Sequence, residues 1–197
     1  MKNMTNDSKE LQDFIPTASI QWASSWPELA KQDDRCRLFS YMENRFGIRE
    51  TLFDDYLLFE RKKSWFLIRF SQEIGYASTL KATKVGLRAF QRIGDFVKPT
   101  TRFIQTFGRF ATRAKFQIDM AQIETLLGGG KIHIDLTLEN GYVILTVGEN
   151  RALGLGLWIN GKIRSQLPRK EIRYAMLNIE SNKAILRHDQ NMEDSTC

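Results

Sequence analysis

The stretch from Lys131 to Ser165 constrains the fold more than any other part of this 197-residue chain. Four short runs, Lys131 to Leu138, Tyr142 to Val147, Ala152 to Ile159 and Lys162 to Ser165, follow one another with only turn-length gaps between them. Runs of that length and composition predict strands, because their apolar side chains suit a pleated, half-buried surface. Asn140-Gly141 and Asn160-Gly161 are the dipeptides that reach positive φ at least cost in two-residue hairpin turns. The expectation is a compact antiparallel meander or small barrel, with Gly128-Gly129-Gly130 as the internal boundary before it, a hinge of three permissive residues.

Upstream the signals are more varied. Residues 1–25 are polar, contain Pro16 and hold no sustained period, which predicts a loosely docked lead-in. Asp33 or Asp34 can open a helix through Cys36, Leu38, Phe39, Met42 and Phe46, which Gly47 stops. Phe53 to Phe70 reads as a helix end and then a hairpin, with Leu57, Leu58 and Phe59 facing Trp65 to Ile68 across a basic turn at Arg61 to Ser64. Lys84 to Val97 fits a strand slightly better than a helix. Lys98-Pro99-Thr100-Thr101 predicts a loop ending in a capping threonine, followed by a short helix with Phe103, Ile104 and Phe107, a strand near Lys115 to Ile118 and a helix from Met120 to Leu127. Tyr174 to Leu186 is one further strand or helix. The fold class is therefore α+β. A mixed α/β module over residues 26–128 precedes a small β-barrel over 129–178 and a C-terminal extension over 179–197.

Charge is unevenly spread. Residues 1–97 carry 15 basic and 13 acidic side chains, residues 98–173 carry 12 and 6, and residues 174–197 carry 2 and 4, so the surplus of six lies in the middle segment. A local excess of that kind raises the potential and favours phosphate-bearing partners. No run approaches the roughly 18 to 20 apolar residues of a membrane-spanning helix, and the first residues lack the apolar core of a secretory signal. A cytoplasmic protein with no membrane partner is expected. Two cysteines, Cys36 and Cys197, make neither a disulfide framework nor a metal knuckle, and Cys36 reads as a packed thiol.

Motifs of catalysis are weak. Gly128-Gly129-Gly130-Lys131 lacks the spacing of a phosphate-binding loop, and Gly154-Leu155-Gly156 lies among strand residues where it marks a bulge or close backbone approach. His133 and His188 stand in no ligand or nucleophile pattern, and Asp33-Asp34 and Asp54-Asp55 are explained by the preference of helix starts for acidic residues. Neither a catalytic residue, a metal nor a cofactor is nominated. Between Arg102 and Phe116, Arg102, Arg109, Arg113 and Lys115 interleave with Phe103, Phe107, Phe110 and Phe116. Aromatics can stack on bases while arginines meet phosphates, yet the helical spacing of the phenylalanines fits a core better, which leaves the arginines as the candidates.

The segment from Leu153 to Arg173 combines a glycine-rich strand, the Asn160-Gly161 turn, a basic strand and a Pro-basic-basic exit. It resembles the closing motif of the PUA-like domain at the end of RsmF-type, Sun/Fmu-related rRNA cytosine methyltransferases, with Gly156, Gly161, Lys162, Pro168, Lys170 and Arg173 at the matching positions. Phe46 to Arg61, and Val85-Gly86-Leu87-Arg88 leading to Lys98-Pro99, resemble the region preceding that domain, so the likeness spans roughly residues 38 to 175.

The resemblance implies a pre-PUA module followed by a pseudo-barrel that grips structured RNA, without the catalytic part of those enzymes. Cys36, between Arg35 and Arg37, has no base in its neighbourhood and is no substitute for a catalytic cysteine. The expected function is thus a non-catalytic RNA-binding protein of ribosome biogenesis or RNA modification, with rRNA ahead of tRNA as partner. Lys98, Arg102, Lys162, Arg164, Arg169, Lys170 and Arg173 are the expected phosphate contacts. The alternative is a protein-interaction subunit that docks onto a separate RNA methyltransferase or ribosomal protein through the apolar hairpin from Leu57 to Ile68.

Overall fold

A computed structural model describes residues 20, 22–80, 84–148 and 151–168. They form an α+β fold in two compact units, the first holding the described residues up to Asn44 together with Ile48–Phe103, the second Arg45–Gly47 together with those from Ile104 onward. Gly128-Gly129-Gly130 lies inside the second unit.

The first unit is an antiparallel sheet of β1 (Glu28–Leu29), β2 (Tyr56–Arg61), β3 (Ser64–Arg69), β4 (Leu87–Ile93) and β5 (Phe96–Pro99), in that order. The hairpin expected around Arg61 to Ser64 is there, closed by Lys62 at positive φ. Residues 84–97, ambiguous in sequence, hold β4 and the start of β5, joined at Gly94, whose φ is +59°. Lys98 and Pro99, expected in a loop, end β5 instead. The Thr100 Oγ1 then accepts from the Phe103 N–H (3.2 Å), capping α3 (Thr101–Phe107) as its side-chain chemistry demands.

Two faces of this sheet carry different cores, because side chains alternate along each strand. Helix α1 (Gln32–Phe46) contributes Phe39, which stacks on Phe53 at 4.4 Å and meets Phe90 edge-on at 6.2 Å. On the opposite face Phe59 pairs across strands with Phe66, and Trp22 and Trp26 approach Phe59 edge-on at 5.2 and 6.1 Å. Cys36, expected to pack, is exposed on α1. A short helix, α2 (Ile74–Thr79), adds Ile74 to the second core.

The second unit is a sheet of β6 (Lys115–Gln117), β7 (Lys131–His133), β8 (Gly141–Val147), β9 (Arg151–Ile159) and β10 (Lys162–Ser165), in the order β6-β8-β9-β10-β7. Strands β8, β9 and β10 are the expected meander, and β6 runs parallel to β8. Helix α4 (Met120–Leu127) opens on a reciprocal capping box between Asp119 and Gln122. It ends at Gly128-Gly129-Gly130, and here the hinge expectation is corrected. The Gly130 N–H donates to the Thr125 carbonyl (2.8 Å), the Gly129 N–H to that of Leu126 (3.2 Å), and Gly129 takes φ +80°. Those bonds satisfy the last helical carbonyls, so the glycines form a fastened cap.

Two other strand expectations also change. Strand β7 ends at His133, well short of Leu138, and it pairs with β10 and not with β8. Asn140-Gly141 is therefore no hairpin turn. Gly141, at φ +150°, lies against Arg45, whose guanidinium Cζ would be 3.1 Å from an added Cβ. Arg45 Nε donates to the Tyr142 carbonyl (2.7 Å) and Nη1 to that of Glu139 (2.9 Å). The Asn160-Gly161 turn does join β9 to β10, with both residues at positive φ as a type I′ turn requires. Asn140 serves that turn from outside, its Oδ1 accepting from the Asn160 N–H at 3.0 Å.

The glycines of β9 act as their context suggested. Leu145 pairs with Gly154 but Thr146 pairs with Ala152, which leaves Leu153 as an extra bulged residue. At Gly156 an added Cβ would lie 2.8 Å from Ile163 Cγ2 and 3.2 Å from Leu145 Cδ2, so the strands can approach there only without a side chain.

Candidate nucleic-acid interface

The pairing of β7 with β10 builds a basic surface in the second unit. In the antiparallel register Lys162 stands opposite His133 and Arg164 opposite Lys131, while the intervening Ile163 faces Ile132. Ile132 and Ile163 are buried, so alternation turns Lys131, His133, Lys162 and Arg164 to the other face, where all four are exposed. Directly opposed residues have Cβ atoms about 5 Å apart, and alternate residues on one strand are about 7 Å apart, which makes the four a compact grid. Among the described residues no carboxylate forms an ion pair with Lys131, Lys162 or Arg164.

The grid continues onto the next strands. Lys162 also pairs with Ile159, which is 41% exposed, and Arg164 with Leu157, which in turn pairs with Tyr142 of β8. The row Lys131, Arg164, Leu157, Tyr142 thus crosses four strands, three spacings or about 14 Å. Tyr142 is half-buried, and this desolvation pushes its hydroxyl pKa above the usual 10.0. A cationic patch bordered by apolar and aromatic groups can hold phosphates electrostatically while offering a flat surface to bases or sugars.

Of the expected contacts, Lys162 and Arg164 are brought together on this face. Lys98 and Arg102 belong to the first unit. Lys98 is half-buried on β5, opposite Gln91, and burial holds its ammonium below the usual lysine pKa of 10.5; Arg102 is exposed on α3. Arg169, Lys170, Arg173 and His188 lie outside the described residues. Lys131 and His133 were missed: Lys-Ile-His shows the alternation, but no local signal pairs it with a strand some thirty residues later.

The interleaved segment from Arg102 to Phe116 resolves in favour of packing for two of its rings. Phe103 and Phe107 are buried, whereas Phe110 is 41% exposed beneath the Arg109 guanidinium, 4.7 Å from the ring centroid. The hairpin proposed as a protein dock is largely spent on the core, since Leu57, Leu58, Phe59, Trp65 and Leu67 are all buried.

No family model matches the chain, and no curated protein matches it. Among solved structures the chain is similar to the crystal structure of a hypothetical protein from the hyperthermophilic archaeon Pyrococcus horikoshii, with 11% identity and a TM-score of 0.42, over 76% of this chain and 87% of that one.

Proposed function

We propose that this chain is a non-catalytic RNA-binding protein with a PUA-like module over residues 129–178, acting on structured rRNA in ribosome biogenesis or RNA modification. The observation that carries the reading is the cationic grid of Lys131, Lys162 and Arg164, which meets no carboxylate in an ion pair among the described residues, with His133 alongside. Lys131 and Arg164, like charges directly opposite one another, destabilise the sheet slightly, and an anion bound there would offset that cost. Edge strands are often guarded by lysine against aggregation, which alone would explain Lys131 on β7. It does not explain Lys162 and Arg164, because β10 lies between two other strands.

Phosphates would take the cations, and the apolar border at Leu157, Ile159 and Tyr142 would lie against sugar or base. Of the seven contacts named from sequence, the proposed surface takes Lys162 and Arg164; Lys98 and Arg102 belong to the first unit, and Arg169, Lys170 and Arg173 lie outside the described residues.

Crosslinking of the purified protein to total cellular RNA tests this directly, with wild type beside a Lys131→Glu, Lys162→Glu, Arg164→Glu variant of unchanged circular dichroism. Wild type should enrich a defined rRNA region and the variant should lose it. Equal recovery from both, or no enrichment from either, overturns the reading.

A further inference from the structure

A second cationic site lies in the first unit, and no part of the RNA reading uses it. A cavity of about 350 Å³ opens there, lined by Pro27, Arg61, Phe66, Lys84, Gly86 and Arg88 among others. Its size is at the lower end of the range of small-ligand sites. The sheet register explains how it arises. Arg61 pairs with Ser64 and Phe66 with Arg88, so these four side chains share one face of β2, β3 and β4. Trp22 and Trp26 pack against Phe59 on that face, while Phe66 beside it is only half-buried.

One of the three cations is held in place. Arg88 Nε and Nη2 both donate to the Ser64 hydroxyl oxygen, at 3.1 and 2.7 Å, which fixes the guanidinium plane and leaves Nη1 free of that bond. Gly86, at φ +63°, brings the chain so close to β3 that an added Cβ would lie 2.6 Å from the Leu67 carbonyl oxygen, and Lys84 and Val85 just before it line the cavity. Among the described residues no carboxylate lines the cavity or forms an ion pair with Arg61, Lys84 or Arg88. Three cations lining one concave site concentrate positive potential, and a planar guanidinium binds phosphate oxygens in a directed way. The remaining wall, Phe66, Val85 and Pro27, is apolar and suits a planar ring.

We propose that this cavity binds a nucleoside monophosphate, phosphate toward Arg61, Lys84 and Arg88 and base against Phe66, either as a free nucleotide or as the phosphorylated 5′ end of an oligonucleotide. Calorimetric titration of the full chain with AMP, GMP, CMP and UMP tests it, with inorganic phosphate and the unphosphorylated nucleosides as controls. At least one monophosphate should bind at least tenfold more tightly than either inorganic phosphate or its own nucleoside. Arg61→Gln, Lys84→Gln and Arg88→Gln should each weaken it about tenfold, the loss of one charge-assisted hydrogen bond. Arg61 and Lys84 are exposed, so those variants keep the test decisive even if Arg88→Gln disturbs its bond to Ser64.

A 5′-phosphorylated oligoribonucleotide that binds as tightly as the monophosphate, and more tightly than its 5′-hydroxyl twin, identifies a chain end as the source. Binding confined to the monophosphate identifies a free nucleotide. The Lys131→Glu, Lys162→Glu, Arg164→Glu variant should bind the monophosphate as wild type does, which separates this site from the RNA face. No binding up to millimolar concentration, equal binding of inorganic phosphate, or binding indifferent to all three glutamine variants overturns the proposal.

Discussion

Replacing Lys131 by glutamine sets two properties of the second unit against each other. Lys131 stands directly opposite Arg164 at the exposed face of paired strands, without a carboxylate partner among the described residues. Opposed like charges in a sheet cost a few tenths of a kcal/mol, and solvent screening keeps the figure low. Lys131→Gln should therefore leave the fold as stable as wild type or raise its stability by roughly 0.2 to 0.5 kcal/mol at low salt. RNA binding should change the other way. Three phosphate contacts at about −0.7 each give a slope of log affinity against log salt near −2, and losing one brings it to about −1.4. At about 0.1 M salt the same contact is worth about fivefold in affinity, ten raised to the power 0.7. Urea unfolding and filter binding across a salt series, on the same two proteins, measure both quantities. An unchanged salt slope in the variant would refute the reasoning, and the cluster would then be a solvated sheet face.

Three further outcomes follow from particular contacts. Gly156→Ala inserts a methyl group 2.8 Å from Ile163 Cγ2 between tightly approaching strands, and should destabilise the fold by about 1 to 3 kcal/mol in urea unfolding, as overpacking does. Asp119→Ala removes the side chain that accepts from the Gln122 N–H at 2.8 Å, and should cost about 0.5 to 2 kcal/mol, read in the same way. Tyr142, with its folded pKa raised by burial, contributes stability that is full below the unfolded value of 10.0 and is lost as the pH rises above it, because the unfolded chain releases the proton first. Tyr142→Phe should lack this part of the alkaline decline, and its absorbance titration near 295 nm should lose a step lying above 10.0.

Much of the fold was legible because local rules and global packing agree along most of the chain. The α1 helix with its Gly47 stop, the β2–β3 hairpin, the Thr100 cap, the α4 helix and the Asn160-Gly161 turn each rest on contacts within a few residues. Where reading failed, a distant partner had intervened. Asn140-Gly141 carries a hairpin signal, but Arg45 lies nearly a hundred residues away in sequence and occupies the space over Gly141, while Asn140 binds Asn160. Gly128-Gly129-Gly130 looked free because glycine content says nothing about whether the preceding carbonyls are claimed.

The basic faces divide along the same line. That Lys162 and Arg164 alternate with a buried Ile163 follows from the two-residue period of a strand, and sequence alone named both cations. That Lys131 and His133 stand opposite them, and that Arg61, Phe66 and Arg88 share a face with Ser64, depends on strand register. Register is set by the side chains that must be buried together, so it belongs to the packed sheet and not to any one segment of the chain. Sequence determined most of the elements and the sign of their charge; tertiary structure decided which charges meet, because a one-residue slip would have sent each of them to the opposite face.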